Sequence, residues 1–141
     1  MEKIPVSVVV ITKNEADNIA DCLKSVSWAD ELIVLDDNSS DDTVKIARQF
    51  TDKVFSRKMD IEGRHRNYAY SLAKNAWVLS LDADERASAA LGGEIRSLLA
   101  ARPKDKAYTI PINSFIGSRW IRHAGWYPAA KVRLFDKWFF V

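Results

Sequence analysis

Two aspartates, Asp82 and Asp84, close a short apolar run in WVLSLDADER, Trp77 to Arg86. In an extended chain, residues i and i+2 face the same way, about 6.6 Å apart. That spacing points both carboxylates past the carboxyl end of a strand, where open α/β sheets bind their ligands. Two like charges on one face make sense around a hard cation, Mg2+ or Mn2+. A plain polar turn is the alternative, because Asp also starts turns and caps helices. A second acidic end, Asp36-Asp37, follows the strand read over Glu31 to Leu35, and Thr12-Lys13-Asn14-Glu15 follows Val6 to Ile11. The stretch Arg57 to Arg66 (RKMDIEGRHR) adds five basic side chains counting His65. Asp36 or Asp37 can accept the N–H of a base or a ribose hydroxyl, and Arg66 can stack on the base or touch the ribose. His65 by itself does not point to a metal. No GxxxxGK or GxGxxG loop occurs. A bound nucleotide therefore lacks a glycine cradle, and a carboxylate-held divalent ion would have to neutralise its phosphates.

The elements that must position these residues are legible as alternating strands and helices. Val6 to Ile11 is rich in β-branched residues and reads as a buried central strand. Ile19, Cys22, Leu23 and Val26 fall at helical spacing, with Cys22 on the buried stripe. After Asp36-Asp37, Ser40 or Asp41 can cap a helix running to about Phe50, with Val44, Ala47 and Phe50 inward. Lys53 to Ser56 reads as a third strand and Arg57 to Arg66 as a loop. Asn67 to Lys74 reads as a helix leading into Val78 to Leu81. Ser88 to Ala101 is a further helix, with Leu91, Ile95, Leu98 and Leu99 inward, and Ala107 to Ile112 an edge strand interrupted by Pro111. This order predicts an α/β fold with a mostly parallel sheet. All three polar strand ends then share one edge.

From Asn113 the character changes. Trp120, Trp126 and Trp138 interleave with Arg119, Arg122, Lys131, Arg133 and Lys137. Val132 to Phe135 and Trp138 to Val141 read as an antiparallel hairpin. Two parts of one domain are expected, 1–112 binding a nucleotide and 113–141 beginning an acceptor side. The chain stops inside an apolar run, which reads as a piece of a longer protein.

Composition narrows the class. The 141 residues are 48% hydrophobic and 28% charged, the make-up of one globular domain. A net charge of +2 implies no nucleic-acid partner. A single cysteine excludes an internal disulfide, and no apolar run is long enough to span a bilayer. A cytoplasmic protein is the expectation.

Taken together, TKNE after the first strand, LDDNSSDDT after the second, the segment from Gly63 to Arg66-Asn67, and LDAD resemble bacterial family 2 glycosyltransferases. The resemblance implies the GT-A fold: a Rossmann-like, mostly parallel sheet flanked by helices, here with a partial antiparallel acceptor-side hairpin. The tail from Ile121 to Pro128, with Arg133-Leu134-Phe135, is similar more narrowly to the lipopolysaccharide-core β-glucosyltransferase group. On that resemblance Thr12, Glu15, Asp36 and Arg66 frame the nucleotide, with Asn14 and Asp37 on the same loops. Asp82 contacts ribose or metal, and Asp84 holds the Mg2+ or Mn2+ that bridges the diphosphate. The implied donor is a UDP-sugar, with glucose as the sugar. The implied acceptor is a lipopolysaccharide-core or related glycan or glycolipid at the inner face of the cytoplasmic membrane. Trp126 and Tyr127, set on a turn by Gly125 and Pro128, are the candidate acceptor contacts. The family's base lies beyond the Arg-Leu-Phe segment, and Glu85 and Asp136 are the weak local substitutes. Ala129-Ala130 stand where a more polar residue is expected.

Two other classes fit less of the sequence. A non-catalytic nucleotide-sugar-binding module accommodates the missing base. An inverting glycosidase fits the Asp82–Asp84 spacing but leaves the second acidic end and the arginine loop without a role.

Overall fold

The computed structural model describes residues 2–112, 115–116, 119–120 and 129–140, excluding the side chains of 112–131 and Phe140. Its centre is a six-stranded sheet. β1 (Ile4–Thr12), β2 (Ala29–Asp36), β3 (Val54–Ser56) and β4 (Trp77–Asp82) run parallel, in the order β3-β2-β1-β4. β8 (Ala129–Asp136) then pairs antiparallel with β4 and with the edge strand β5 (Ala107–Ile112). β6 (Phe115–Ile116) and β7 (Arg119–Trp120) form a separate two-residue antiparallel pair.

β1 shows why this sequence makes a buried strand. Val6, Val8 and Val10 pack on one face with Ile19, Cys22 and Leu23 of α1 (Ile19–Ser25), Ala47 of α2 (Thr43–Ala47) and Ile95 of α4 (Leu91–Ala100). Val9 and Ile11 pack on the other face with Ala69 of α3 (Glu62–Ser71) and Ala73. A strand covered by helices on both sides needs apolar residues at every position, and each buried Val or Ile contributes about 1.5–3 kcal/mol. At the amino-terminal edge the buried Glu31 carboxylate accepts hydrogen bonds from Ser7 Oγ (2.6 Å), the Lys74 N–H (2.8 Å) and Lys53 Nζ. Burial opposes its charge, but Lys53, Ser7 and Lys74 outweigh it and keep the carboxyl below its usual range.

Four elements differ from the sequence reading. The stretch read as a basic loop is already helical from Glu62, so Arg66 sits on α3 and not ahead of a helix. Its first turn is held by ion pairs, Arg66–Glu62 at 3.0 Å and Arg64–Asp60 at 3.7 Å, rather than by an apolar stripe. The antiparallel C-terminal pairing is present, but as β8 against β5 and not as a hairpin of Val132 to Phe135 with Trp138 to Val141. Val132 to Phe135 lies in β8, both of whose sides are already paired, and Lys137–Phe140 forms the short helix α5. Asp136 Oδ1 accepts the Trp138 N–H at 3.1 Å at that helix start. The helices read to Phe50 and from Ser88 are shorter, spanning α2 and α4 as given above.

Candidate donor-binding site

Register brings the polar strand ends together. Thr12 pairs with Asp36, Asp36 with Ser56, and Ile11 with Asp82, so all lie along one carboxyl edge. The first two loops are then clipped to each other. Asn14, at φ 52°, accepts the Ser40 N–H through Oδ1 at 2.8 Å and donates its own N–H to Ser39 Oγ at 2.7 Å. The Glu15 N–H reaches Thr43 Oγ1 at 2.9 Å, and Ala16 N–H reaches Asp41 Oδ2 at 3.2 Å. Asn38 is also left-handed, at φ 48°. Asn tolerates that region better than other side-chain-bearing residues. Glu15 itself accepts from Asn18 Nδ2 at 2.8 Å, at the start of α1.

Asp36 and Asp37 are not equivalent. Asp36 is 1% exposed, and its two oxygens accept the Ser39 hydroxyl (2.5 Å) and N–H (2.8 Å). Its carboxylate shapes the loop. Asp37 accepts the Met59 N–H at 2.9 Å through Oδ1, while Oδ2 lies 3.8 Å from Lys13 Nζ. Its side chain is the more accessible of the two, at 13%. Thr12 Oγ1 is buried without a hydrogen-bond partner among the described residues.

His65 is fully buried on α3. Its Nδ1 faces Arg57 Nη1 at 3.2 Å, and its Nε2 has no partner among the described residues. Arginine only donates, so Nδ1 must accept and the proton rests on Nε2. Burial and the Arg57 charge hold the imidazole pKa below its ordinary value.

The turn after β4 corrects the carboxylate geometry read from the sequence. The Glu85 N–H bonds to Asp82 O at 2.9 Å, closing a turn, so Asp84 has left the pleat and strand alternation no longer relates it to Asp82. Asp82 is not an unneutralised carboxylate either. Its Oδ1 accepts from Arg66 Nη2 at 3.0 Å, and its Oδ2 lies 3.7 Å from Arg133 Nη2. Asp84 is exposed and has no hydrogen bond or ion pair among the described residues. No group of three metal-type side chains gathers among those residues. One free carboxylate beside a diphosphate still suits Mg2+ or Mn2+, which complete their shells with waters and phosphate oxygens.

Of the substitutes for a base, Glu85 is engaged at both oxygens, by the Asp82 N–H (2.8 Å) and by Arg133 (2.9 Å). Asp136 pairs in register with Trp77 at the start of β4, so it lies at the opposite edge of the sheet. Cys22 is buried, and burial with the Glu85, Asp84 and Asp82 carboxylates pushes its thiol up to about 12, consistent with a core role. Trp126, Tyr127 and the stretch 121–128 lie outside the described residues. The sequence places Arg133 among the basic residues of the acceptor side, whereas the structure buries it against Glu85 and near Asp82. The Arg-Leu-Phe segment gives no hint of these carboxylates.

This arrangement accords with the family model for glycosyl transferase family 2, which matches residues 7–139. The chain belongs to glycosyl transferase family 2. It is 43% identical over 115 residues to an uncharacterized glycosyltransferase of Rickettsia felis, covering 79% of this chain and 40% of that protein. It is 27% identical over 104 residues to the lipopolysaccharide core biosynthesis glycosyltransferase LpsC of Rhizobium meliloti, covering 70% of this chain and 38% of that one. Among solved structures, Staphylococcus aureus TarS 1-349 superposes with a TM-score of 0.66 at 18% identity, over 97% of this chain and 47% of that chain. Glucosyl-3-phosphoglycerate synthase of Mycobacterium tuberculosis, solved with Mn2+, UDP and glucosyl-3-phosphoglycerate, gives 0.51 at 26% identity, over 57% and 35%. The GT-A fold expected from the motifs is the fold of this family 2 chain. The chain spans about two-fifths of the length of the curated relatives it matches.

Proposed function

We propose that this chain is the donor-binding part of an inverting glycosyltransferase that moves a sugar, glucose in the first instance, from a UDP-sugar to a lipopolysaccharide-core or related glycan acceptor. The observation that carries the reading is the convergence of Thr12, Asp36, Asp82 and Arg66 on one sheet edge. In this reading Asp37 accepts the base N–H, and Asp36 acts through the Ser39 loop. Thr12, Asn14 and Glu15 frame the nucleoside, Arg66 lies over the base or ribose, and Asp82 accepts a ribose hydroxyl or supports the metal. Asp84 would hold Mg2+ or Mn2+. That ion supplies Lewis-acid charge at the leaving diphosphate. The complex of the 26%-identical synthase with Mn2+ and UDP supports both the nucleotide and the ion. Trp126 and Tyr127 are proposed to stack on the acceptor sugar.

The similarity to LpsC supports the lipopolysaccharide-type acceptor, which would bring the protein to the cytoplasmic face of the inner membrane. No helix among the described residues is long and apolar enough to cross a membrane. A non-catalytic nucleotide-sugar-binding module is the second reading, favoured by the engagement of both Glu85 oxygens. Titration calorimetry with UDP in Mn2+ and in EDTA tests the donor site. Binding that requires the ion, and loses that requirement together with most affinity in Asp84→Ala, is the expected result. Equal affinity in EDTA and Mn2+ would count against the metal, and absence of UDP binding in either would remove the donor site.

A further inference from the structure

Arg133 arrives from β8, the strand that joins the sheet antiparallel to its parallel half. Its side chain is 7% exposed, yet it carries a full charge into the seam beside β4. Three partners compensate that charge. Nη2 donates to Glu85 Oε2 at 2.9 Å and lies 3.7 Å from Asp82 Oδ2, and Nη1 donates to Ser80 O at 3.3 Å. Glu85 returns to Asp82 by accepting its backbone N–H at 2.8 Å. Arg66 covers the other Asp82 oxygen. Two guanidiniums thus face the Asp82 and Glu85 carboxylates, and Arg66 is held from its outer side by the exposed Glu62 at 3.0 Å. Asp84, two residues from Asp82 and outside this cluster, keeps its charge for something else.

We propose that Arg133 is a positioning residue of the donor site: it commits Asp82 to arginine and thereby leaves Asp84 as the carboxylate through which the site takes a divalent cation. The inference rests on the donor-site reading above and adds to it the reason the two aspartates differ. A buried guanidinium is a competitor for any cation approaching Asp82, because both seek the same oxygens. Removing it leaves Glu85 Oε2 without its cation and Asp82 with Arg66 alone, so the site becomes more negative by one charge. Metal affinity should then rise, whereas a general loosening of the fold would lower it.

The test measures Mn2+ alone by electron paramagnetic resonance, and UDP by calorimetry in EDTA and in Mn2+. Arg133→Gln should bind Mn2+ alone roughly tenfold more tightly, as expected for one charge removed from a partly screened site. The same variant should bind UDP in EDTA more weakly than wild type. Arg133→Lys, which keeps the charge, should hold Mn2+ affinity near the wild-type value. Glu85→Gln leaves both guanidiniums to Asp82 and should weaken Mn2+ binding, so it carries the test if Arg133→Gln does not fold. Arg96→Gln is the control, since among the described residues Arg96 bonds only to Glu2 O on the surface and its loss changes net charge alone. Folded variants of Arg133 and Glu85 with unchanged Mn2+ and UDP affinities would overturn the inference and leave the donor site standing. Wild type that binds no UDP would overturn both.

Discussion

Asp36 and Asp37 are neighbours of identical chemistry, and their surroundings give them different work. With both oxygens on Ser39 and 1% exposure, Asp36 has little left for a ligand. Asp36→Ala should therefore lower stability by about 1–3 kcal/mol, the cost of stripping partners from buried polar groups. Its effect on UDP should follow from loosening the Ser39 loop. Asp37→Ala should weaken UDP by a similar amount with the smaller change in melting temperature. Urea melts and calorimetry on both variants separate the two roles, and equal loss of stability in the pair would contradict the assignment. His65 gives a pH prediction. Its folded pKa lies below the unfolded value, so its contribution to stability is complete above pH 6.5 and is lost as pH falls below it. Protonation would also remove the Nδ1 lone pair that Arg57 uses and set two cations together. Gln at this position keeps an acceptor for Arg57 and does not titrate. Wild type should then lose more stability than His65→Gln between pH 7 and 5, and parallel losses would show that His65 does not titrate on folding.

Among the elements, those carried by apolar period were legible and those carried by charge or by distant pairing were not. Val8, Val9 and Val10 announce a strand buried on both faces, and the acidic ends of β2 and β4 announce the edge. The sequence starts α3 late because its first turn, Glu62-Gly63-Arg64, has no apolar face and is stabilised by i,i+4 pairs. It suggests a strand in place of α5 because Trp138 and Phe139 are apolar and aromatic. Both are exposed, at 76% and 64%, and the strand partner they would need is already supplied to β8 by β4 and β5. The Asp82–Asp84 pair was visible, but the turn that parts them, and the arginines that claim Asp82, depend on contacts 16 and 51 residues away in sequence. Two glycines test the helices directly. A Cβ on Gly63 meets nothing within 4 Å, so Gly63→Ala should stabilise α3 by about 0.5–1 kcal/mol. A Cβ on Gly92 falls 2.9–3.0 Å from the Trp28 indole, whose Nε1 already donates to Ser25 O. Gly92→Ala should therefore destabilise by about 1–3 kcal/mol despite the better helix propensity of alanine. Melts that moved both variants in the same direction would mean that propensity, and not the indole, decides.

At the scale of the whole molecule, the proposed donor binding and the proposed sugar transfer make different demands. The parts proposed for the donor stand on one edge of a sheet whose strands are each paired on the sides that matter. Transfer demands more, namely a carboxylate free to take a proton from the acceptor hydroxyl within hydrogen-bond reach of it. Among the described residues the local candidates fail for separate reasons. Glu85 is held at both oxygens, and freeing it would leave Arg133 short of a partner in a buried seam. Asp136 is five residues back along the register from Asp82, roughly 16 Å away at strand rise. Asp84 is free, but a carboxylate that holds the metal on the leaving side cannot also serve the attacking hydroxyl on the opposite face of the sugar. We therefore expect this chain to bind UDP-sugar in the presence of Mn2+ and to show no transfer to a lipopolysaccharide-core acceptor. A longer chain of the length of its relatives should do both. Product analysis with radiolabelled UDP-glucose on the two chains side by side checks this. Robust transfer by the shorter chain would mean that a base lies within it, and Glu85→Gln would be the first variant to make, with transfer measured at saturating Mn2+ and UDP-glucose because the same change is expected to weaken metal binding.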